Sequence, residues 1–287
     1  KDYQISQYEA PFSTAGSLLI RPKNSPPKKV RILRIHLEED AGKLLHAIGS
    51  EALPHSLVDF NRGGTPLIEI VSEPDIRSSE EAHSYLSELK AVIQYAGVSR
   101  CDMEKGEMRC DANISVRRAG VDALGTRAEI KNLNSFKGVK EALEYEFRRQ
   151  VSELEGGGRI VQETRLWSSE RMATFPMRSK EEAHDYRYFP DPDLVPLVAD
   201  AALVREIAAG LPELPAARRS RFERQYQISA YDAEVLSSDR ALGVRLADDA
   251  GDLDLGGGDH LDVDALAGHR LEHPRGDAGV AAHADAH

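Results

Sequence analysis

The sequence predicts an α+β fold, on three observations. Residues 1–135 read mostly as strands and turns, with branched apolar residues and period-two alternation. Two runs of helical period, opening near Ser78 and Phe136, interrupt them. The texture turns helical near residue 200, which divides the chain into a main unit over 1–200, the start of a helical unit over 201–240 and a tail over 241–287.

The segment from Val30 to Leu37 is rich in branched apolar residues and predicts a strand. Its alternation slips between Ile32 and Leu33, the mark of a bulge. A Gly63-Gly64-Thr65-Pro66 turn opens a second strand over Pro66–Val71. Ser78 and Glu81 then form a capping box. Ala82, Tyr85, Leu86, Leu89, Val92, Ile93 and Ala96 continue at helical spacing until Gly97. From Cys110 the chain alternates: Cys110, Ala112, Ile114 and Val116 point one way, Arg109, Asp111, Asn113, Ser115 and Arg117 the other. Thr126–Leu133 repeats the pattern with Arg127, Glu129 and Lys131 on one face, and Ile160–Trp167 with Glu163 and Arg165 sharing another. Between them a helix runs from about Phe136 to Glu155, with an expected buried stripe of Val139, Leu143, Phe147, Val151 and Leu154 and a stop at Gly156-Gly157-Gly158. Farther on, Gly210 closes one helix, Pro215 suits the first turn of the next, and a short helix starts at Ser229.

Composition narrows the function classes. The hydrophobic share is 41%, ample for a core, and no apolar run approaches the ~20 residues of a membrane span. Cys101 and Cys110 form no C-x-x-C pair, so they read as buried free thiols of a reducing cytosol rather than zinc ligands. The net charge of −11 has the wrong sign for a chain that grips nucleic acid alone. The tail over 241–287 holds ten acids against three arginines and no aromatic residue or lysine, a composition expected to stay disordered or to be an out-of-frame translation. Its His260, His269 and His273 match no metal-ligand spacing.

Four constellations bear on chemistry. Glu69 interrupts an apolar strand between Ile68 and Ile70, and His36-Leu37-Glu38-Glu39-Asp40 gathers ligand-type groups at another strand end. Carboxylates converging from two strands suit a hard cation such as Mg2+; the alternative is an edge-strand glutamate and a solvated turn. Asp111, Asn113 and Ser115 are poor strand formers. With Lys131 and Arg165 they make either a face for triphosphate and a carboxylate under phosphorylation, or the ordinary wet side of an antiparallel sheet. Arg62-Gly63-Gly64-Thr65 is no P-loop and reads as a turn. Asp185-Tyr186-Arg187-Tyr188-Phe189-Pro190 offers stacking groups for a base or ribose, or a packed loop.

Taken in order, these segments resemble the cradle domain of the B subunit of the heterotrimeric glutamyl-tRNA(Gln)/aspartyl-tRNA(Asn) amidotransferases. The resemblance rests on Tyr3-Gln4-Ile5-Ser6-Gln7-Tyr8, on His36 to Lys43, and on Asp59 to Asp75 with its Arg62-Gly63-Gly64-Thr65-Pro66-Leu67-Ile68-Glu69 core. It continues through Arg109 to Ser115, Glu129 to Phe136, Gln162 to Arg165, Asp185 to Pro190, Leu211 to Pro215 and Tyr231-Asp232-Ala233, over roughly 240 residues.

The resemblance implies a mixed cradle built on a largely antiparallel sheet with flanking helices, then a small helical domain. It implies a kinase-like reaction in which ATP phosphorylates the Glu or Asp side chain carried by a mischarged tRNA. Ammonia from the glutaminase partner, the A subunit, then displaces phosphate, and a small C subunit completes the heterotrimer in the cytoplasm. It implies Mg2+, with Glu39 and Glu69 matching ligand positions and Glu38 a near neighbour. On this reading Lys131, Arg165 and Asp111 are the candidate catalytic residues, and Asn113, Ser115 and Arg187 the candidate ATP contacts. The family also places a strand with a Glu-x-His motif ahead of Lys1, and tRNA-holding domains in place of the residues beyond about Arg240. The alternative is a non-catalytic scaffold for the A and C subunits.

Overall fold

The computed structural model describes residues 3–48, 51–177, 187–188, 193–195, 198–238, 240 and 279–286. Its strands are β1 (Tyr3–Gln4), β2 (Ser13–Ile20), β3 (Lys28–Glu39), β4 (Lys43–Ile48), β5 (Glu51–Asp59), β6 (Pro66–Ser72), β7 (Met108–Ile114), β8 (Ala128–Leu133), β9 (Glu163–Ser168), β10 (Ala173–Pro176), β11 (Arg187–Tyr188) and β12 (Gly279–Ala286). The helices are α1 (Ser79–Tyr95), α2 (Phe136–Glu155), α3 (Ala201–Gly210), α4 (Pro215–Gln225) and α5 (Ala230–Ser237). The fold is α+β. Two compact units share the chain: residues 1–87, 101–196 and 278–287 form the first, and residues 88–100 and 197–277 the second.

In the first unit the main sheet has the order β10-β9-β8-β7-β12-β6-β3-β2. Antiparallel pairings outnumber parallel ones four to three, so the sheet is mixed. β4 and β5 form a separate hairpin, and β1 pairs in parallel with β11. One face of the sheet is apolar: Val30, Ile70, Cys110, Ala112, Ile114, Ile130 and Trp167 are buried. Val139, Ala142 and Leu143 of α2 are buried as well, and the helix packs on β7, β8 and β10. Each large side chain so buried stabilises by about 1.5–3 kcal/mol. Both cysteines are buried free thiols, as expected.

Local signals account for the helix ends. Ser78 Oγ accepts the Glu81 N–H at 3.1 Å, while the Glu81 carboxylate takes the Arg77 N–H at 2.7 Å and Lys28 Nζ at 2.6 Å. Ser135 caps α2 by accepting from the Gly138 N–H at 3.0 Å. The expected stripe of α2 holds at Val139 and Leu143 but not at Phe147 and Leu154, which are exposed. Its second half buries Glu146 and Gln150 instead, because there β9 and β10 present Arg165 and Thr174.

Residues 279–286, part of the tail expected to be disordered or an out-of-frame translation, form β12 between β6 and β7. Strand pairing draws on backbone groups that every residue here carries, so a slot with two open neighbours makes few demands on composition. Residues 241–278, with His260, His269 and His273, lie outside the described residues.

The second unit is helical. Asp200 caps α3, accepting from Ala202 and Leu203 N–H at 2.9 and 2.8 Å. Pro215 occupies the first turn of α4, and Ser229 caps α5. Phe222, Ala233 and Leu236 form its core with Tyr226 and Ile228 packed against them. Arg219 meets Glu88 through two hydrogen bonds of 2.7 and 3.1 Å, and Tyr95 Oη donates to the Ser237 carbonyl at 2.9 Å. Among the described residues no helix is long and apolar enough to cross a membrane.

Candidate active site

The sheet face away from α2 is polar, and a bulge in β3 decides which residues reach it. Ile32 pairs with Ser72 and Arg34 with Val71, so the register shifts between them, at the place where the sequence alternation slips. Val30 and Ile32 therefore point into the core, while Arg34, His36 and Glu38 share the other face with Glu69 and Val71.

His36 pairs directly with Glu69. Ligand atoms of His36, Glu38 and Glu69 lie within 4.8 Å of one another. His36 Nε2 is 3.1 Å from Glu38 Oε1 and 3.9 Å from Glu69 Oε1. The imidazole is fully buried, and the two carboxylates are only 7% and 18% exposed, too little for water alone to screen their repulsion. The N-terminal segment fixes Glu38. It runs beside β3, with Gln7 N–H donating to the Leu37 carbonyl at 2.9 Å and Glu39 N–H to the Ile5 carbonyl at 3.1 Å. Ser6 Oγ then donates to Glu38 Oε1 at 2.7 Å and Gln4 Nε2 to Glu38 Oε2 at 3.0 Å. His36 Nδ1 is buried without a hydrogen-bond partner, so the tautomer with the proton on Nε2 is the one that serves Glu38. Two carboxylates at this spacing, one of them held by the His36 N–H, fit a divalent cation that takes oxygen ligands.

Across the sheet, Lys131 Nζ donates to Asp111 Oδ2 at 2.8 Å and lies 3.2 Å from Glu129 Oε1. Thr164 Oγ1 donates to Glu129 Oε2 at 2.8 Å. Asn132, at φ +65, takes up a bulge that keeps Lys131 opposite Asp111, and its Nδ2 donates to the Trp167 carbonyl at 2.9 Å. Burial pulls the Lys131 pKa down, but Asp111 and Glu129 outweigh it and the net shift is upward, so the ammonium persists at neutral pH. A cavity of about 460 Å³ opens on this face, lined by Arg34, Glu69, Asn113, Arg127, Glu129 and Thr164 among others.

The structure brings together Glu38, Glu69, Asp111, Asn113 and Lys131 of the predicted site residues on one face. It separates three others, and leaves a fourth undescribed. Glu39 pairs with Pro66 and, one step out of phase with Glu38, lies on the reverse face from Glu69; His36 stands in the group instead. Arg165 pairs with buried Ile130 and so belongs to the α2 face. There it is 7% exposed, with Nε donating to Thr174 Oγ1 at 2.8 Å and Nη2 to the Thr174 carbonyl at 2.9 Å. Ser115 lies beyond the end of β7 and is buried. Arg187 enters β11 opposite Tyr3, and its side chain, like the rest of 185–190 apart from the Tyr188 backbone, lies outside the described residues.

The remaining motif residues are structural. The N–H groups of Gly63, Gly64 and Thr65 donate to the carbonyls of Phe60, Asp40 and Arg62 at 2.9, 3.1 and 3.1 Å, so this turn, with Gly64 at φ +79, offers no open phosphate cradle. Asp40 is buried and held by Arg62 Nε at 2.9 Å and by Arg109. Sequence reasoning misses Arg34, Glu129 and Thr164 as site residues, although Glu129 shares the alternating face of Lys131.

A family described as the GatB/GatE catalytic domain matches residues 1–205. The aspartyl/glutamyl-tRNA(Asn/Gln) amidotransferase B subunit of Carboxydothermus hydrogenoformans is 58% identical over 242 residues, covering 84% of this chain and 50% of that protein. The proteins of the same description from Geotalea daltonii and Caldanaerobacter subterraneus are 55% and 54% identical over the same coverage. The chain thus spans about half the length of the curated relatives it matches. The matched region carries β1 to β10 with both acidic strands and the Asp111–Lys131 pair, and the chain belongs to the GatB/GatE catalytic domain family.

Proposed function

We propose that this chain is the carboxylate-activating part of the B subunit of a tRNA-dependent amidotransferase. ATP phosphorylates the side-chain carboxylate of a glutamyl or aspartyl group on mischarged tRNA, and ammonia supplied by a glutaminase partner displaces the phosphate. A small third protein completes the assembly. A free carboxylate is a poor electrophile because its leaving group is oxide; its acyl phosphate is a good one. The His36–Glu38–Glu69 group beside a polar cavity carries this reading.

In this scheme Glu38 and Glu69 hold Mg2+, and His36 steadies Glu38 as Ser6 and Gln4 do. The bound cation supplies neutralisation of phosphate charge. Lys131 lends positive charge to the same face, positioned by Asp111, and Asn113 adds a neutral hydrogen-bonding group at the cavity wall. Thr164 and Lys131 orient Glu129. Arg187 is an ATP contact only by the resemblance of its motif.

The test is Mn2+ binding followed by electron paramagnetic resonance, paired with ATP-dependent phosphorylation in the reassembled full-length complex. Glu69→Gln is expected to weaken Mn2+ by at least about 10–100-fold, the scale set even by groups outside the ligand shell, and to depress phosphorylation in parallel. Unchanged Mn2+ affinity in Glu69→Gln refutes the cation site.

A further inference from the structure

We infer that Arg34 is the anion-binding residue of the cavity, taking a phosphoryl oxygen of the ligand that the cation site anchors. This rests on the reading of His36, Glu38 and Glu69 as that cation site.

Arg34 is built to present its charge and has not spent it. Its guanidinium carbon lies 4.2 Å from the centroid of the Tyr8 ring, which fixes the plane of the fork by stacking. Tyr8 in turn meets the His36 ring edge-on, with centroids 6.0 Å apart. Arg34 Nε is buried with no hydrogen-bond partner. Among the described residues, Arg31, Arg62, Arg109, Arg165 and Arg219 each grip a carboxylate. No such ion pair engages Arg34 among the described residues, although it lines the same cavity as Glu69. A half-buried guanidinium held over the Tyr8 ring at the cavity wall, with no carboxylate paired to it among the described residues, is suited to an oxyanion.

Position names the class of anion. Arg34 stands two residues before His36 on one face of β3, about 6.6 Å along the strand. That is a span one phosphoryl group bridges, with one oxygen toward the cation and another toward the fork. The cavity walls carry Glu69, Glu129 and Glu163 against Arg34 and Arg127, so the bare cavity repels anions. Arg34 therefore works with the cation, and anion affinity depends on both. A cavity of about 460 Å³ is large enough for a polyphosphate. An amino-acid carboxylate offers similar oxygens, but it has only two of them on one carbon and spans less of the gap.

Pyrophosphate is the probe, titrated calorimetrically with and without Mg2+ into this chain and into Arg34→Met, which keeps the apolar stem under Tyr8. The loss of one charge-assisted contact should weaken Mg2+-dependent pyrophosphate binding by about 10–100-fold, with Mn2+ affinity held within about twofold. Free glutamate in place of pyrophosphate should show no such dependence. Pyrophosphate affinity within about twofold of wild type, an equal loss for glutamate, or loss of Mn2+ binding in Arg34→Met overturns the assignment. If the wild-type chain takes up no Mn2+, the cation reading fails; a pyrophosphate affinity that still falls in Arg34→Met then sustains the arginine by itself.

Discussion

Arg165→Met separates a structural arginine from a catalytic one. Removal of the guanidinium strips Thr174 of two donors, at 2.8 and 2.9 Å, and takes a cation from beside Glu146 Oε2, 3.4 Å away. Hydrogen bonds from a charged donor contribute about 1.5–3 kcal/mol each. Severing a buried ion pair costs about 3–5 kcal/mol, but Glu146 keeps Arg149 at 2.6 Å and Gln150 at 2.9 Å, so the full penalty is not reached. The expected loss is about 3 kcal/mol, or roughly 6–12 °C in Tm for a unit of this size. Thermal melts by circular dichroism, with Mn2+ and pyrophosphate titrations on the same variant, decide the matter. A Tm within about 2 °C of wild type together with tenfold weaker pyrophosphate binding would return Arg165 to the active face and refute the register argument.

Two further predictions concern the same sheet and its buried acids. Glu38→Gln should weaken Mn2+ by at least about tenfold while Glu39→Gln stays within about twofold, and the reverse order in paramagnetic resonance would mean that β3 presents its other side. Acid stability reports the buried carboxylates. Burial raises the Asp40 pKa, yet Arg109 and Arg62 outweigh it and leave it low; Glu146 is lowered likewise, and the Arg31 guanidinium holds Asp75 at about 2. Carboxyls depressed in the folded state add stability that is complete above their unfolded pKa, near 4, and lost as pH falls through the folded value. The urea midpoint should therefore be flat from about pH 7 to 5 and fall between about pH 4 and 2, and Asp40→Asn should flatten that fall. An unchanged slope in Asp40→Asn removes Asp40 from the account.

Much of the fold is legible in the sequence where the signal is local. The 20-residue span of α2, the Ser78 cap, the Ser229 cap and the slip at Ile32 all come from neighbouring residues, and all stand in the structure. The α2 stripe fails midway because a buried Glu146 carries no apolar signal, only polar contacts with Arg165 and Thr174 on strands later in the chain. The site is half legible for the same reason. Alternation tells which residues of one strand go together, but not which of its sides meets which side of the next. Glu129 pairs with Thr164 and Ile130 with Arg165, and that single-residue choice sends Arg165 to the core. Glu38 and Glu39 are chemically equal neighbours, and only the pairing of Glu38 with Leu67 and Glu39 with Pro66 separates them.

The extra residue in β3 partitions one strand between two masters. Upstream of it, Val30 and Ile32 answer to the hydrophobic interior; downstream, Arg34 answers to the cavity and His36 and Glu38 to the acidic group beside Glu69. Substitutions a few ångströms apart thus fall into different classes of phenotype, melting on one side of Leu33 and ligand affinity on the other. With the upstream register kept and the bulge straightened into unbroken alternation, the same sequence leaves Val30 and Ile32 in the core, turns Arg34, His36 and Glu38 inward beside them, and turns Ile35 and Leu37 out.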